Sequence, residues 1–470
     1  MDNSELKILF PVTLLKSGPE LLNPDNTETI WEYYLLENIS CGLVRDSKFS
    51  PTGYLGCVAD RFFQENQRTW IFHVNPNLKW SDGSVVSANE ITDWLEALKN
   101  SNRRHIKYLK LANKIVYNEA DRIIKIEFPF AMDETLLHEL SLADSGLFSA
   151  DYKDNGWGRT VGPYSVETWN SQENILKLHA NRFSPLYNEK MAEKVVLTKL
   201  SDPKQRNQIF KTISFDVVPV VASASPKNTS MVLPNAPQVW SSHPMEISFF
   251  YFNHRDLRNR DLVFRKKIAS AVNEFRGHIV ETTPSISSFL PEDQLIPAGF
   301  DGHLETSTAI FIEKNAVKII PVKLKLSTSF RDYPELTDKM SHIFLEHGIQ
   351  LEFEFSDTTA FEKNESIGIY SFLGNQRDAS GSWSFLTGAP DGPLCDWIGE
   401  YQKYFTRVFD GSDIKDRKNA LMDLHRFILE SAIAIPFMVG KQRYLLSDKV
   451  DASNWNQFDA RLRIYELRRK

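Results

Sequence analysis

Cysteine is scarce. Cys41, Cys57 and Cys395 are the only three in 470 residues, and no two of them form a CxxC pair. A disulfide-rich scaffold and a cysteine-based zinc module are thereby excluded. Long apolar runs are missing too: no stretch reaches the ~18 residues that a membrane-spanning helix needs. The most apolar long segment, Phe427 to Val439, is interrupted by Glu430 and Pro436. The first residues, MDNSELKILF, lack the basic start and apolar centre of a secretory leader. On the residues alone, either the chain is cytosolic or a leader has been removed. An excess of basic charge is also absent. The net charge of −6 excludes a generally basic nucleic-acid binder, though not a local basic patch. No repeat, heptad seam or low-complexity linker interrupts the chain, so its domains are expected to interleave and to be joined by strands.

What is present suits a folded chain. Hydrophobic residues make up 42%, charged residues 25%, and there are 31 Phe, 15 Tyr and 10 Trp. This excludes a mostly disordered chain. The length corresponds to about three domains of ~150 residues. Leu6–Phe10 reads as a first core strand, followed by the turn-like loop Leu22–Asn26 and a helix over 28–39. The alternation of Arg68–Val74 predicts a strand. Ser87 with Glu90 three residues later predicts a capping box opening a helix over 88–98. Asp82-Gly83 predicts a tight turn, and Tyr164–Trp169 with Asn174–Ala180 a hairpin. Further strands are expected at 122–128, 195–200, 215–220, 246–252, 367–373 and 435–439, with helices at 204–211, 263–273 and 416–429. Val322–Leu326, the helix 333–346 stopped at His347-Gly348, and Ile349–Phe355 form a β-α-β unit, which predicts a parallel sheet. Gly374–Trp397 is longer than an ordinary loop, a sign of function or elaboration.

Enzyme motifs are incomplete. His138-Glu139 lacks the second His of HExxH. Gly156, Gly158 and Gly162 miss the GxGxxG spacing by one residue. Gly381 to Phe385 lacks the last glycine of a nucleophile elbow. The expectation is a protein that is not an enzyme and holds neither metal nor cofactor.

Four separated segments, in order along the chain, resemble the bacterial extracellular solute-binding proteins of family 5, the oligopeptide, dipeptide and nickel type. The first covers Leu55–Phe63, Thr69–Val74, Leu78–Val85 and Ser87–Leu98. The second is Val161-Gly162-Pro163-Tyr164 with Leu176–Leu178 and Asn181–Phe183, where Val161 stands in place of a small or hydroxyl residue. The third is Phe252-Asn253 with Asp261–Asn273; Arg265 matches the family's arginine and Asn273 replaces its aspartate. The fourth is Ala434–Phe437. The resemblance implies an α/β chain of the periplasmic-binding-protein type II fold, two lobes of interleaved segments with the extra subdomain of the peptide-binding branch. Lobe I would comprise 1–40, 160–252 and 437–470, the subdomain 41–159 and lobe II 253–436. It also implies a periplasmic or cell-surface monomer from which the signal segment is gone. Such a protein would carry a small molecule or peptide to an ABC permease, or report it to a membrane receptor, with no nucleic acid involved. Cys41 and Cys57 would pair only if the fold brings them together.

In the peptide-binding relatives an aspartate after a lobe strand clamps the ligand's ammonium. The corresponding segment here runs from Phe372 to Ala379, with Asn375 at the aspartate's position. Asparagine accepts a hydrogen bond but carries no charge, so a standard peptide loses its counter-ion; a short slip would bring Asp378 to the task. Phe372, Trp383, Trp397 and Tyr401 are the aromatic candidates for cleft walls, with ordinary packing as the alternative. Asp25, in the loop after the first strand, is the candidate from the first lobe, its plainer reading being an exposed loop acid. Tyr164 reads as core.

Overall fold

The computed structural model describes residues 5–10, 24–25, 30–47, 50, 53–101, 103, 106–149, 159–170, 175–199, 215–220, 238–279, 289–298, 300, 302–306, 319–326, 330–331, 334–356, 365–373, 393–410, 414–457 and 461–470. The expected helix at 204–211 lies outside these residues. The chain divides into two compact units. The first holds the residues up to Val220, the strand ending at Ser241, and Arg443–Lys470; the second holds Ser242–Gln442.

The first unit is built on a seven-stranded mixed sheet. Its central strand is Glu5–Phe10, which runs parallel to Lys194–Lys199 on one side and Val217–Val220 on the other. Leu6, Ile8, Leu9 and Phe10 are all buried, as a strand covered on both faces requires. The expected hairpin forms: Tyr164–Asn170 pairs antiparallel with Ile175–Ala180 and extends the sheet at one edge. Arg443–Leu446 and Gln238–Ser241 extend it at the other.

A separate four-stranded antiparallel sheet carries Ala59–Asn66, Thr69–Val74, Ile123–Glu127 and Lys114–Asn118 in that spatial order. The helix Ala88–Asn100 starts at the predicted capping box. Ser87 Oγ accepts from Glu90 N–H, and the Glu90 carboxylate accepts from Ser87 N–H. Its buried residues Ile91, Trp94, Leu95 and Leu98 recur at three- and four-residue steps on one face. Asp82-Gly83 is a turn: Trp80 N–H donates to the Ser84 carbonyl, Asp82 accepts from Ser84 N–H, and Gly83 has φ +86°.

Cys41 and Cys57 form a disulfide across a Cα separation of 6.0 Å, and both are buried. The pairing that the sequence left open is therefore made by the fold. The bond closes a loop of 16 residues, and loops of this size lose about 3 kcal/mol when opened. Replacing both cysteines by alanine is expected to lower the unfolding free energy by that amount, read from urea titrations. An unchanged midpoint would show that the bond contributes nothing.

The end of the chain returns to the first unit through a buried ionic cluster. Arg461 and Arg463 are both fully buried. Each pairs with Glu37 on the helix Ile30–Ile39 and with Asp46 on the strand Val44–Asp46, and Arg463 also meets Glu466 at 3.3 Å. Asn38 completes the tie, accepting from Ile464 N–H and donating to the Leu462 carbonyl.

The second unit carries a six-stranded sheet ordered Phe289–Pro291, Ala434–Gly440, Glu246–Phe252, Ile367–Leu373, Ile320–Leu326 and Ile349–Phe355. The predicted β-α-β unit is present. Ile320–Leu326 and Ile349–Phe355 run parallel, joined by the helix Pro334–Glu346, and Gly348 takes φ +69° where that helix stops. The strand Glu246–Phe252 was expected in lobe I, with the change of lobe at 252. Its ladder partners are Ile367–Leu373 and Ala434–Gly440, so it belongs to the second unit. The same ladder holds the whole of Ala434–Gly440 there, past the expected boundary at 436. A strand lies where its main-chain groups are paired, and the chain changes unit at Ser241/Ser242 and Gln442/Arg443 instead. Beside these points Ser242 N–H donates to the Gln442 carbonyl, and Gln442 N–H donates to the Ser242 hydroxyl. The helix Ile398–Asp410 was not anticipated, although Tyr401 and Val408, both buried, stand at helical spacing.

Candidate functional site

Ile367–Leu373 is an interior strand of the second unit's sheet, antiparallel to Glu246–Phe252 and parallel to Ile320–Leu326. Its carboxyl end points the same way as those of Ile320–Leu326 and Ile349–Phe355. Ligands of open α/β sheets bind beyond the carboxyl ends of such strands. The segment with the clamp positions leaves the sheet at this end. Asn375, Asp378 and Trp383 themselves lie outside the described residues. The backbone of Phe372 pairs with Ile247; its side chain is likewise outside.

Beside that exit stands an acid that sequence reasoning passed over. Glu246 is in register with Leu373, two residues before Asn375. Its carboxylate accepts from Gln442 Nε2 at 2.9 Å, while desolvation holds its pKa above the usual range. The available signal was a single acid heading the otherwise apolar run EISFFYF. Further along the same pair of strands the hydroxyls of Ser248 and Ser371 lie 2.7 Å apart.

Two other aromatic candidates lie in the interior of the second unit. Trp397 is fully buried, and its indole N–H donates to the Phe252 carbonyl at 3.0 Å. The Arg265 guanidinium lies over the indole ring, 4.8 Å from its centre. Arg265 in turn donates to the carbonyls of Asn259, Arg260 and Ser431. The arginine shared with the family pattern thus binds a helix to its surroundings. Tyr401 is also fully buried; its hydroxyl donates to the Leu394 carbonyl, and burial drives its pKa up. Neither ring presents a free face, because both fill interior space with their polar atoms satisfied.

Asp25 is no plain surface acid. Its carboxylate accepts from Arg103 Nε at 2.7 Å, and Arg103 is buried. Arg103 also donates to the Asp144 carbonyl and lies over the Phe148 ring. Holding a ligand's ammonium at Asp25 would compete with this guanidinium. Tyr164 is core, as expected, with its hydroxyl donating to the Ala192 carbonyl. Glu139 of the incomplete zinc motif accepts from three backbone N–H groups, those of Lys107, Tyr108 and Leu109. Burial raises its pKa to about 7 against those bonds. No group of His, Cys, Asp or Glu suited to a metal ion occurs among the described residues. A polar depression of about 740 Å³ in the first unit, lined in part by Arg182, Tyr187, Lys190 and Arg468, contains none of the expected site residues.

Residues 56–275 match the family described as bacterial extracellular solute-binding proteins, family 5 (middle). A "Putative binding protein" of Haemophilus influenzae is 24% identical over 285 residues, which are 57% of this chain and 51% of that protein. The matched region thus spans about half the length of that relative. Over the whole chain the fold is shared with solved structures. The periplasmic binding protein DppA from Helicobacter pylori, in complex with the peptide STSA, has a TM-score of 0.77 at 14% identity, covering 99% of this chain and 98% of that one. The murein tripeptide binding protein MppA of Escherichia coli has a TM-score of 0.78 at 15% identity, covering 100% and 99%. These identities establish the fold alone; both proteins have the type II periplasmic-binding-protein architecture.

Proposed function

From the match of residues 56–275 to the family 5 bacterial extracellular solute-binding proteins, and from a fold shared with solved binding proteins, we infer capture of a small solute for an ABC importer. The solute would lie in a cleft between two lobes that close about it, strengthening its polar contacts as water leaves. The proposed lobe I combines the first strand, the strands between 164 and 241 and the last segment. The four-stranded sheet belongs to the proposed subdomain within 41–159, and lobe II is the second unit. The observation that carries the reading is the segment after Ile367–Leu373, which bears Asn375 and Asp378 and starts at the carboxyl end of an interior strand. A short peptide is the proposed class of ligand, with a weakened claim on a free amino terminus because Asn375 is uncharged. The Cys41–Cys57 disulfide favours an oxidising compartment, which supports a periplasmic or cell-surface location.

A thermal-shift and calorimetric screen of short peptides and metabolites tests this directly: at least one stabilising ligand is expected. Asn375→Asp is expected to tighten binding of ligands with a free amino terminus about fivefold, since a charge-assisted bond exceeds a neutral one by ~1 kcal/mol. No change on that swap would place Asn375 outside the site. The missing charge at Asn375 also favours a second reading, a ligand-responsive signalling module. Recovery of a receptor or kinase in a pull-down, with no permease, would select it.

A further inference from the structure

At the end of the strand Glu246–Phe252 away from Glu246, the chain turns through Asn253–Asp261 into the helix Leu262–Gly277. This corner is unusual in what it leaves in solvent. Leu257 is 73% exposed and Val263 70%, the two highest values among the exposed large hydrophobic side chains of the described residues. Leu262 and Ile319 are exposed as well. Ile319 is brought in because Arg258 donates to the carbonyl of Pro321, two residues on.

Basic side chains outnumber acidic ones around these aliphatic groups. Arg255, Arg260, Lys266 and Lys267 make no ion pair among the described residues, and Arg260 only donates to the His254 carbonyl. Two of the local acids are already engaged. Asp256 holds Arg258 and the Ser366 hydroxyl, and Asp261 caps the helix by accepting from Val263 N–H. On the helix, Leu262 with Lys266 and Val263 with Lys267 are pairs four residues apart, so each aliphatic side chain has a cation one turn along on the same face. Lysine stems lie along such apolar surface while the ammonium stays outside. All this sits in a chain of net charge −6.

We propose that this corner is a contact surface for an anionic lipid bilayer, separate from the ligand site. Protruding aliphatic groups ringed by unpaired cations match the boundary between acyl chains and acidic headgroups. A protein partner would rather be held by aromatic anchors seated in pockets, and the exposed large side chains here include neither Trp nor Tyr.

The test is co-sedimentation of the full chain with phosphatidylglycerol vesicles and, in parallel, phosphatidylcholine vesicles. Binding is expected to the first and not the second, and to fall as salt is raised. Leu257→Asp combined with Val263→Asp should cut the bound fraction roughly tenfold, with an unchanged thermal melt. Arg255→Glu combined with Lys267→Glu should do the same. The proposal is overturned if the wild-type chain fails to sediment with the anionic vesicles, or if the aspartate pair binds as well as wild type. Binding to an acidic protein without any vesicle binding would also overturn it. Ligand stabilisation should be untouched in both variants, which keeps this outcome distinct from failure of the solute-binding reading.

Discussion

Asp46→Ala is expected to destabilise the chain by about 3–5 kcal/mol, because it leaves two buried guanidinium groups short of a counter-charge. Asp46 serves both Arg461 and Arg463, and both arginines are fully buried. Glu37 remains as partner to both, at 3.3 and 3.2 Å, so one carboxylate would have to neutralise two cations with only Glu466 in support. An unpaired charge in such a place cannot recover its lost hydration. The measurement is the urea midpoint of the variant at neutral pH, with a drop in melting temperature of roughly 4 °C as a second readout. Replacing Arg463 and Asp46 together by apolar residues of similar volume should cost much less than Asp46→Ala alone, since no charge is then stranded. A loss under about 1 kcal/mol for the single variant would show that water reaches the cluster.

Stability is expected to fall by about 3 kcal/mol as pH drops from 6.5 to 4, through His425. This histidine is fully buried in the helix Ile414–Glu430. Its Nε2 accepts from Leu295 N–H at 3.1 Å, and Nδ1 faces the Gly302 carbonyl at 2.9 Å, which suits the neutral ring with its proton on Nδ1. Desolvation lowers its pKa from 6.5 to about 4, helped by the nearby His303 and Arg426 and opposed by the Gly302 bond and Asp293. The sign follows from proton uptake. Between about 4 and 6.5 the unfolded chain binds the proton and the folded one does not, so acid favours unfolding. The contribution is whole above 6.5 and is lost as pH falls toward 4. Unfolding free energies measured across that window should show the slope, and His425→Gln should flatten it. A variant that keeps the wild-type slope would assign the acid sensitivity to other groups.

How far the fold could be read depended on the range of the interactions. Ser87 and Glu90 are three residues apart and bond as predicted; Gly348 ends its helix; the period-two and apolar strands fall within a few residues of expectation. Such features are settled by neighbours along the chain. The helix Ile398–Asp410 carries the same kind of local signal, in the spacing of Tyr401 and Val408. Glu246 was missed for another reason: its significance comes from register with Leu373, across a ladder between segments more than a hundred residues apart.

The candidate site divides similarly. The segment from Phe372 to Ala379 was identified by resemblance, and the structure adds the carboxyl-end exit of its strand. Trp397 and Tyr401 could not be sorted by sequence, since an aromatic ring in a wall and one in a core have the same chemistry. The structure adds that both rings are buried and donate to the Phe252 and Leu394 carbonyls. Asp25 changed meaning for the same reason, once Arg103 was found beside it.

By itself, then, the sequence determined the α/β class, most of the regular elements and the family resemblance, because periodicity, caps and motif order are local or ordered properties of a string. Tertiary structure alone decided that Cys41 meets Cys57, that Glu246–Phe252 joins the second unit, and that Arg461 finds Glu37 across 424 residues. Those outcomes rest on which distant segments share a ladder or a buried volume, and a pairing energy exists only after the chain has brought both partners out of water.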